Sequence, residues 1–176
     1  MPSMRRARPA LALSALVLAA GGLTGCEFGG GFAARCSTQP LVPHHDIGTV
    51  YGRIDVPWVL HPGEQFTVTV LDVGTTIGSG PLGSFHGGAL EVTGPVSPSG
   101  VFGVGQRFQG LEGFVGTPFP NTLEFEVTGQ PGESVAFSVP EATGFVGDFP
   151  NGYFHSCSAF GGSEIVRIQI VEPDGT

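Results

Sequence analysis

The chain has 176 residues and a formal net charge of −8, with fifteen Asp and Glu against seven basic residues, all of them Arg. That balance argues against a nucleic-acid partner, because phosphate binding rests on clustered Lys and Arg. Thirty Gly and fifteen Pro would read as low complexity in a polar chain, but fourteen Phe interleaved with Val and Ile supply the apolar surface for one folded domain of ordinary size.

Arg5, Arg6 and Arg8 precede an apolar stretch from Ala10 to Ala20 that ends in small residues, the order of an export signal. The stretch is too short to span a bilayer, which takes ~20 apolar residues. It closes on Leu23-Thr24-Gly25-Cys26, which resembles the lipobox of bacterial lipoproteins: a Leu, two small residues and the Cys that is lipidated. The resemblance implies a diacylglyceryl thioether on Cys26, cleavage after Gly25, and acylation of the new amino group by palmitate or a similar chain. Each buried CH₂ contributes about 0.8 kcal/mol, so two or more chains anchor a protein without a transmembrane helix. An ordinary signal peptide followed by a chance Cys is the alternative.

Under the lipobox reading, residues 1–25 are a cleaved signal peptide, 26–35 a lipidated tether, and 36–176 a single domain on the extracytoplasmic face of the cell membrane. The mature chain keeps four Arg and all fifteen acids, a formal charge of 4 − 15 = −11. The tether carries Gly29-Gly30-Gly31, and a flexible linker of about nine residues reaches ~16 Å, which would hold the domain near the membrane. Phe28 and Phe32 within it either dip into the interface or pack on the base of the domain.

Three Cys would leave an odd thiol in an exported protein; assigning Cys26 to the lipid leaves Cys36 and Cys157 to pair with each other. An oxidising compartment favours that bond, and closing so long a loop stabilises by up to about 4 to 5 kcal/mol in the chain-entropy relation. A metal held by the two thiolates would need close partners, and only His155 stands near Cys157, without a second ligand pair at suitable spacing.

From Thr49 onward the hydrophobic pattern has period two. Weaker alternations at Val50 to Val56 and Ala89 to Thr93 accompany four clear ones, Phe66-Val68-Val70, Leu123-Phe125-Val127, Val135-Phe137-Val139 and Val166-Ile168-Ile170. Gly or Pro interrupts every window long enough for helical spacing, so the class is all-β, and short strands in this number suggest two packed antiparallel sheets. Pro62-Gly63 and Pro131-Gly132 suit type II turns, and each leads through Glu into an alternating strand. In this the chain resembles bacterial surface domains of immunoglobulin-like fold, where a Pro-Gly-Glu turn leads into a core strand; the resemblance implies a two-sheet antiparallel β-sandwich over Thr49 to Glu172. The Pro131-Gly132 turn, lying between two alternating segments, predicts a hairpin of Leu123–Val127 with Val135–Val139.

A second repeat, Gly113-Phe114-Val115-Gly116 through Asn121 and Gly144-Phe145-Val146-Gly147 through Asn151, marks two surface loops that the hairpin would bring together at one end. Phe114, Phe119, Phe145 and Phe149 are candidate binding residues if exposed together, and cap the core if folded inward, which is the favoured expectation for large apolar side chains. His44, His45, Asp46, His61, His86 and His155 are possible metal ligands but also ordinary loop residues, and no axial Met remains in the mature chain. Glu124 and Glu126 share one strand face, as solvated positions do, and Ser156 beside His155 would face the other way from it on a strand. No nucleophile elbow, phosphate loop or calcium loop is present. The expectation is therefore a membrane-anchored envelope lipoprotein acting as a binding or structural module, without enzymatic activity, cofactor or metal, whose partner is an envelope protein or a small ligand. The alternatives are a carrier of a small apolar or sugar ligand and, less favoured, an envelope hydrolase.

Overall fold

The computed structural model describes residues 25–39, 45–76, 85–108, 114–146 and 153–173. Every regular element among them is a strand: β1 (Cys26–Gln39), β2 (His45–Val56), β3 (Gln65–Thr76), β4 (Phe85–Thr93), β5 (Val96–Ser97), β6 (Gly100–Phe108), β7 (Phe114–Gly116), β8 (Asn121–Val127), β9 (Ser134–Val146), β10 (Tyr153–Ala159) and β11 (Glu164–Gln169). The expected alternation drives them. In β3 Phe66, Val68 and Val70 are buried while Gln65 and Thr67 face solvent, and in β8 Phe125 and Val127 are buried between the exposed Glu124 and Glu126.

Hydrogen bonding runs without a break through the order β5-β8-β3-β2-β1-β10-β9-β4-β6-β7, with β11 added to β9, and the named strand pairs are antiparallel. The two layers expected from the sequence are thus two halves of one curled sheet rather than separate immunoglobulin-like sheets. β3 packs on β4 and β9, and β2 packs on β9, without pairing to them. The layers come close enough that a Cβ on Gly52 would stand 2.6 Å from the Val139 side chain. Between them lies one core that includes Ile54, Val68, Leu90, Phe137 and Ile168.

The segment 26–35 is not a tether. Cys26–Gln39 is a strand deep in the sheet order, with β2 opposite it from Cys26↔Val56 to Ser37↔His45 and β10 opposite its second half. Its own period-two pattern explains this: Phe28, Gly30, Phe32, Ala34 and Cys36 turn inward while Glu27, Gly29, Gly31, Ala33 and Arg35 are exposed. Phe28 packs against the core, as a residue of the domain's base.

Both Pro-Gly turns form as expected, and they are copies of one another. Glu64 N donates to His61 O and Glu133 N to Gln130 O, each at 3.1 Å, and Gly63 and Gly132 supply the positive φ (73° and 93°) that the turn requires. Each following Glu folds back: Glu64 accepts from the amide of His61 at 2.8 Å, and Glu133 from that of Gln130 at 2.7 Å. The predicted hairpin does not form, however. β8 pairs with β3 and β5, whereas β9 pairs with β4, β10 and β11, so residues 128–133 carry the chain from one layer to the other. The physical reason lies in the turn itself, since type II geometry splays its flanking strands instead of matching their twist.

Following β1 upward from Cys26 defines two poles. The Cys26 pole holds the end of β2, both Pro-Gly turns and residues 170–173; the opposite pole holds the ends of β1, β3, β6 and β9 and the starts of β2, β4, β7 and β10.

Candidate functional site

At the Cys26 pole, the Cys26 thiol is free and exposed on the first residue of β1. Beside it an exposed ion pair joins Arg53 of β2 to Glu27 of β1 at 2.6 Å. Two residues beyond the end of β2, Trp58 is 70% exposed. Its stretch is nonetheless fixed, because Leu60 is fully buried and bridged to Ile170: Leu60 N donates to Gln169 O at 3.2 Å and Val171 N to Leu60 O at 2.9 Å. The His61 Nδ1 lies 3.2 Å from Val171 O, a contact in which the ring N–H donates to the carbonyl.

Farther along β1, Cys36 and Cys157 are disulfide-bonded. They face each other across the β1–β10 ladder with Cα atoms 4.0 Å apart, and both are buried. From β3, the buried Thr75 hydroxyl rests against the bridge, 2.6 Å from the Cys157 sulfur. The bond joins the start of the fold to a late strand, as the cysteine count predicted.

Between the two poles a polar cluster joins three strands. A bulge where β2 pairs with β3 skips Leu71, so Asp72 stands opposite Arg53 and Gly74 opposite Tyr51. Tyr51 lies over Gly74, where a Cβ would sit within 2.4 Å of the phenol oxygen. Its hydroxyl is buried and has no hydrogen-bond partner among the described residues. Burial, helped by the nearby Asp72 carboxylate, pushes the Tyr51 phenol up to about 12. The Asp72 Oδ1 lies 2.7 Å from His86 Nε2 of β4, and the Phe119 ring stacks on His86 with centroids 5.5 Å apart.

Asn121 holds Phe119 in place. Its Oδ1 accepts from Gly105 N of β6 at 2.5 Å, while its Nδ2 donates to the carbonyls of Thr117 and Pro118 at 3.2 Å. Gly105 has a φ of +69°, and a Cβ there would strike the Phe119 ring at 2.5 Å, so Gly is the residue this approach admits. Since His86 also pairs with Gly144 in β9, Phe119 of the first recurring segment and Gly144 of the second are brought together at His86, through β4 rather than through a hairpin; residues 147–151 of the second segment lie outside the described residues.

Phe119 is half-buried against the core and Phe145 is buried, so these two rings cap the fold and do not form an exposed aromatic patch. Phe114 lies in β7 paired with Phe108, a placement that fixes its backbone only. Phe149 and His44 lie outside the described residues, as do residues 1–24. Among the described side chains His61, His86 and His155 do not converge: His61 stands at the Cys26 pole, His86 is paired with Asp72, and His155 Nδ1 is 2.9 Å from Thr38 Oγ1 across the β1–β10 ladder. Among the described residues no group of three His, Cys, Asp or Glu gathers at metal-binding distance.

Glu124 and Glu126 line an open cleft of ≈ 340 Å³ with Gln65, Phe66, Thr67, Ser97 and Phe125. A second open cleft, ≈ 400 Å³, runs along Gly103, Gly105 and Gly116 to Asn121 and Thr122. The sequence contained no local sign of the Tyr51-Asp72-His86 cluster, which is assembled by register and a bulge, and it showed Trp58 only as a residue before a turn. No family model, no curated protein and no solved structure matches the chain.

Proposed function

We propose that the protein is an envelope lipoprotein, held at the membrane through acylated Cys26, and that its β-domain acts as a binding or structural module. The observation that carries the reading is the state of Cys26. Behind Leu23-Thr24-Gly25 stands a thiol that is exposed and unpaired, while the remaining two cysteines are used up by each other. A cysteine with that role has to be reachable by an acyl-transfer enzyme, and an exposed thiol on the first residue of β1 agrees with that need.

A module that presents a surface agrees with the way its chemistry is arranged. Phe119 lies over His86, and Asp72 Oδ1 stands 2.7 Å from His86 Nε2, a ring-covered arrangement better suited to bracing strands against one another than to activating a substrate. Both clefts are open and polar, which suits contact with a partner's surface more than enclosure of a small apolar ligand. Protein made in a lipidating bacterial host tests the anchor. Mass spectrometry is expected to find a chain beginning at a Cys26 that carries a diacylglyceryl group, and Cys26→Ala is expected to shift the protein out of the membrane fraction. A mature chain with an unmodified Cys26 thiol overturns the proposal.

A further inference from the structure

With no tether between Cys26 and the fold, an acyl chain on that residue does more than tie the domain to a membrane. Cys26 is paired with Val56 in the sheet, so its lipid can enter a bilayer only if this pole of the domain lies against the surface. Trp58 is two residues past Val56. Residues opposite one another in an antiparallel pair have Cα atoms at most about 5.5 Å apart, and two further residues add at most about 7.6 Å, so the Trp58 Cα lies within about 13 Å of that of Cys26.

We infer that Trp58 is a membrane-interface residue, and that the anchored domain stands on the bilayer with the Trp58 pole down. The inference rests on acylation of Cys26. Large aromatic side chains are highly buried on average, yet this indole is 70% exposed on a stretch pinned by Pro57 and Leu60, both buried. An amphipathic ring held outward on a fixed arm fits the headgroup region, where Trp is enriched because one end is apolar and the other can hydrogen-bond.

The charge at this pole selects the kind of contact. Its basic residue near Cys26, Arg53, is paired with Glu27, and the Glu64 and Glu133 carboxylates accept hydrogen bonds within their own turns. Around them the exposed Gly63, Pro131, Gly132 and Pro173 are uncharged, and the one further exposed charge of the 170–173 stretch is the acid Glu172. Nothing here attracts anionic headgroups, and the mature chain is strongly acidic. The contact is therefore apolar insertion at a zwitterionic surface, independent of salt, rather than electrostatic adsorption.

Trp58 is the single Trp of the chain, so intrinsic fluorescence reports on it alone. The acylated protein, reconstituted in phosphatidylcholine vesicles, is expected to emit at shorter wavelength than in water and to be quenched by lipids brominated near the headgroup, equally at low and high salt. A double variant, Trp58→Phe with Phe160→Trp, moves the reporter to a residue that is 46% exposed and hydrogen-bonded to Ala33, away from the Cys26 end. Its emission is expected to stay that of a water-exposed ring. Water-like emission from Trp58 in the acylated, vesicle-bound protein overturns the inference, and so does equal quenching of both reporters, which would mean a domain lying on its side. Mass spectrometry of the same sample separates this from the anchor itself. If Cys26 proves unacylated, coupling its thiol to a maleimide phospholipid supplies the anchor, and the same spectra decide the role of Trp58.

Discussion

Replacing Cys36 and Cys157 together by Ala tests how the closed sheet is held. The bridge joins residues 121 apart in sequence, and the chain-entropy relation gives about 5 kcal/mol for a loop of that length. Native contacts already align the same two strands, from Ala34↔Ala159 to Gln39↔Phe154, so the effect should come chiefly from restraining the unfolded chain. The expected loss in equilibrium urea unfolding is about 3 to 5 kcal/mol. It should be accompanied by a larger dependence of stability on urea, because an unbridged chain exposes more surface when it unfolds. Thr75→Val, which removes the hydroxyl against the sulfurs but keeps the shape, separates this from local packing. A loss under about 1 kcal/mol for the double variant refutes the reasoning. A Thr75→Val loss of the same size as the double variant's would move the explanation from the unfolded chain to the core.

Two more expectations follow from the Tyr51-Asp72-His86 cluster. The Tyr51 phenol sits at about 12 in the folded protein against 10.0 in an open chain, so the unfolded state gives up its proton first and stability falls as pH rises from 10 to 12. Since the ring is only half-buried, the loss should be on the order of 1 kcal/mol, and Tyr51→Phe should remove that part of the pH dependence in alkaline urea titrations. Phe119→Ser removes the ring that lies on His86 and Gly105; for a half-buried ring the expected cost is about 2 kcal/mol, read from thermal or urea unfolding, and unchanged stability would show that the ring does not cap the core.

What could be read in the sequence was whatever depends on near neighbours. The strands β3, β8, β9 and β11 follow from alternation, and the Pro-Gly-Glu turns follow from the φ that Pro presets and Gly admits. β1 escaped because its inward positions include Gly30 and its outward ones Gly29 and Gly31, which erase the contrast between the two faces while leaving the backbone free to pair. The Pro131-Gly132 turn is legible by type, and its type II geometry favours a crossing between layers over a hairpin. Asp72 was unreadable for another reason. Period two carried forward from Phe66, Val68 and Val70 would send it into the core, and only the bulge at Leu71 turns it to the Tyr51 side. Long-range register of this kind leaves no trace at any single position, and the cluster it builds was missed as a result.

The absence of a tether also decides how a lipidated form of this protein would meet its partner. A flexible linker of nine residues would let the domain tumble within ~16 Å of its anchor and offer any of its faces. A strand that starts at the anchored residue removes that freedom. β1 has 14 residues, and at ~3.3 Å per residue it spans about 46 Å, less whatever tilt and twist take away. The far end of β1, where Thr38 meets His155, would then stand at a nearly fixed height above the bilayer. A partner that recognises that end must itself reach some 40 Å from the membrane. A partner confined to the bilayer surface would instead meet the sides of β1 and β2 near the Arg53-Glu27 pair. The two situations differ in which substitutions abolish capture, and it is the directness of the Cys26 attachment that makes them distinguishable.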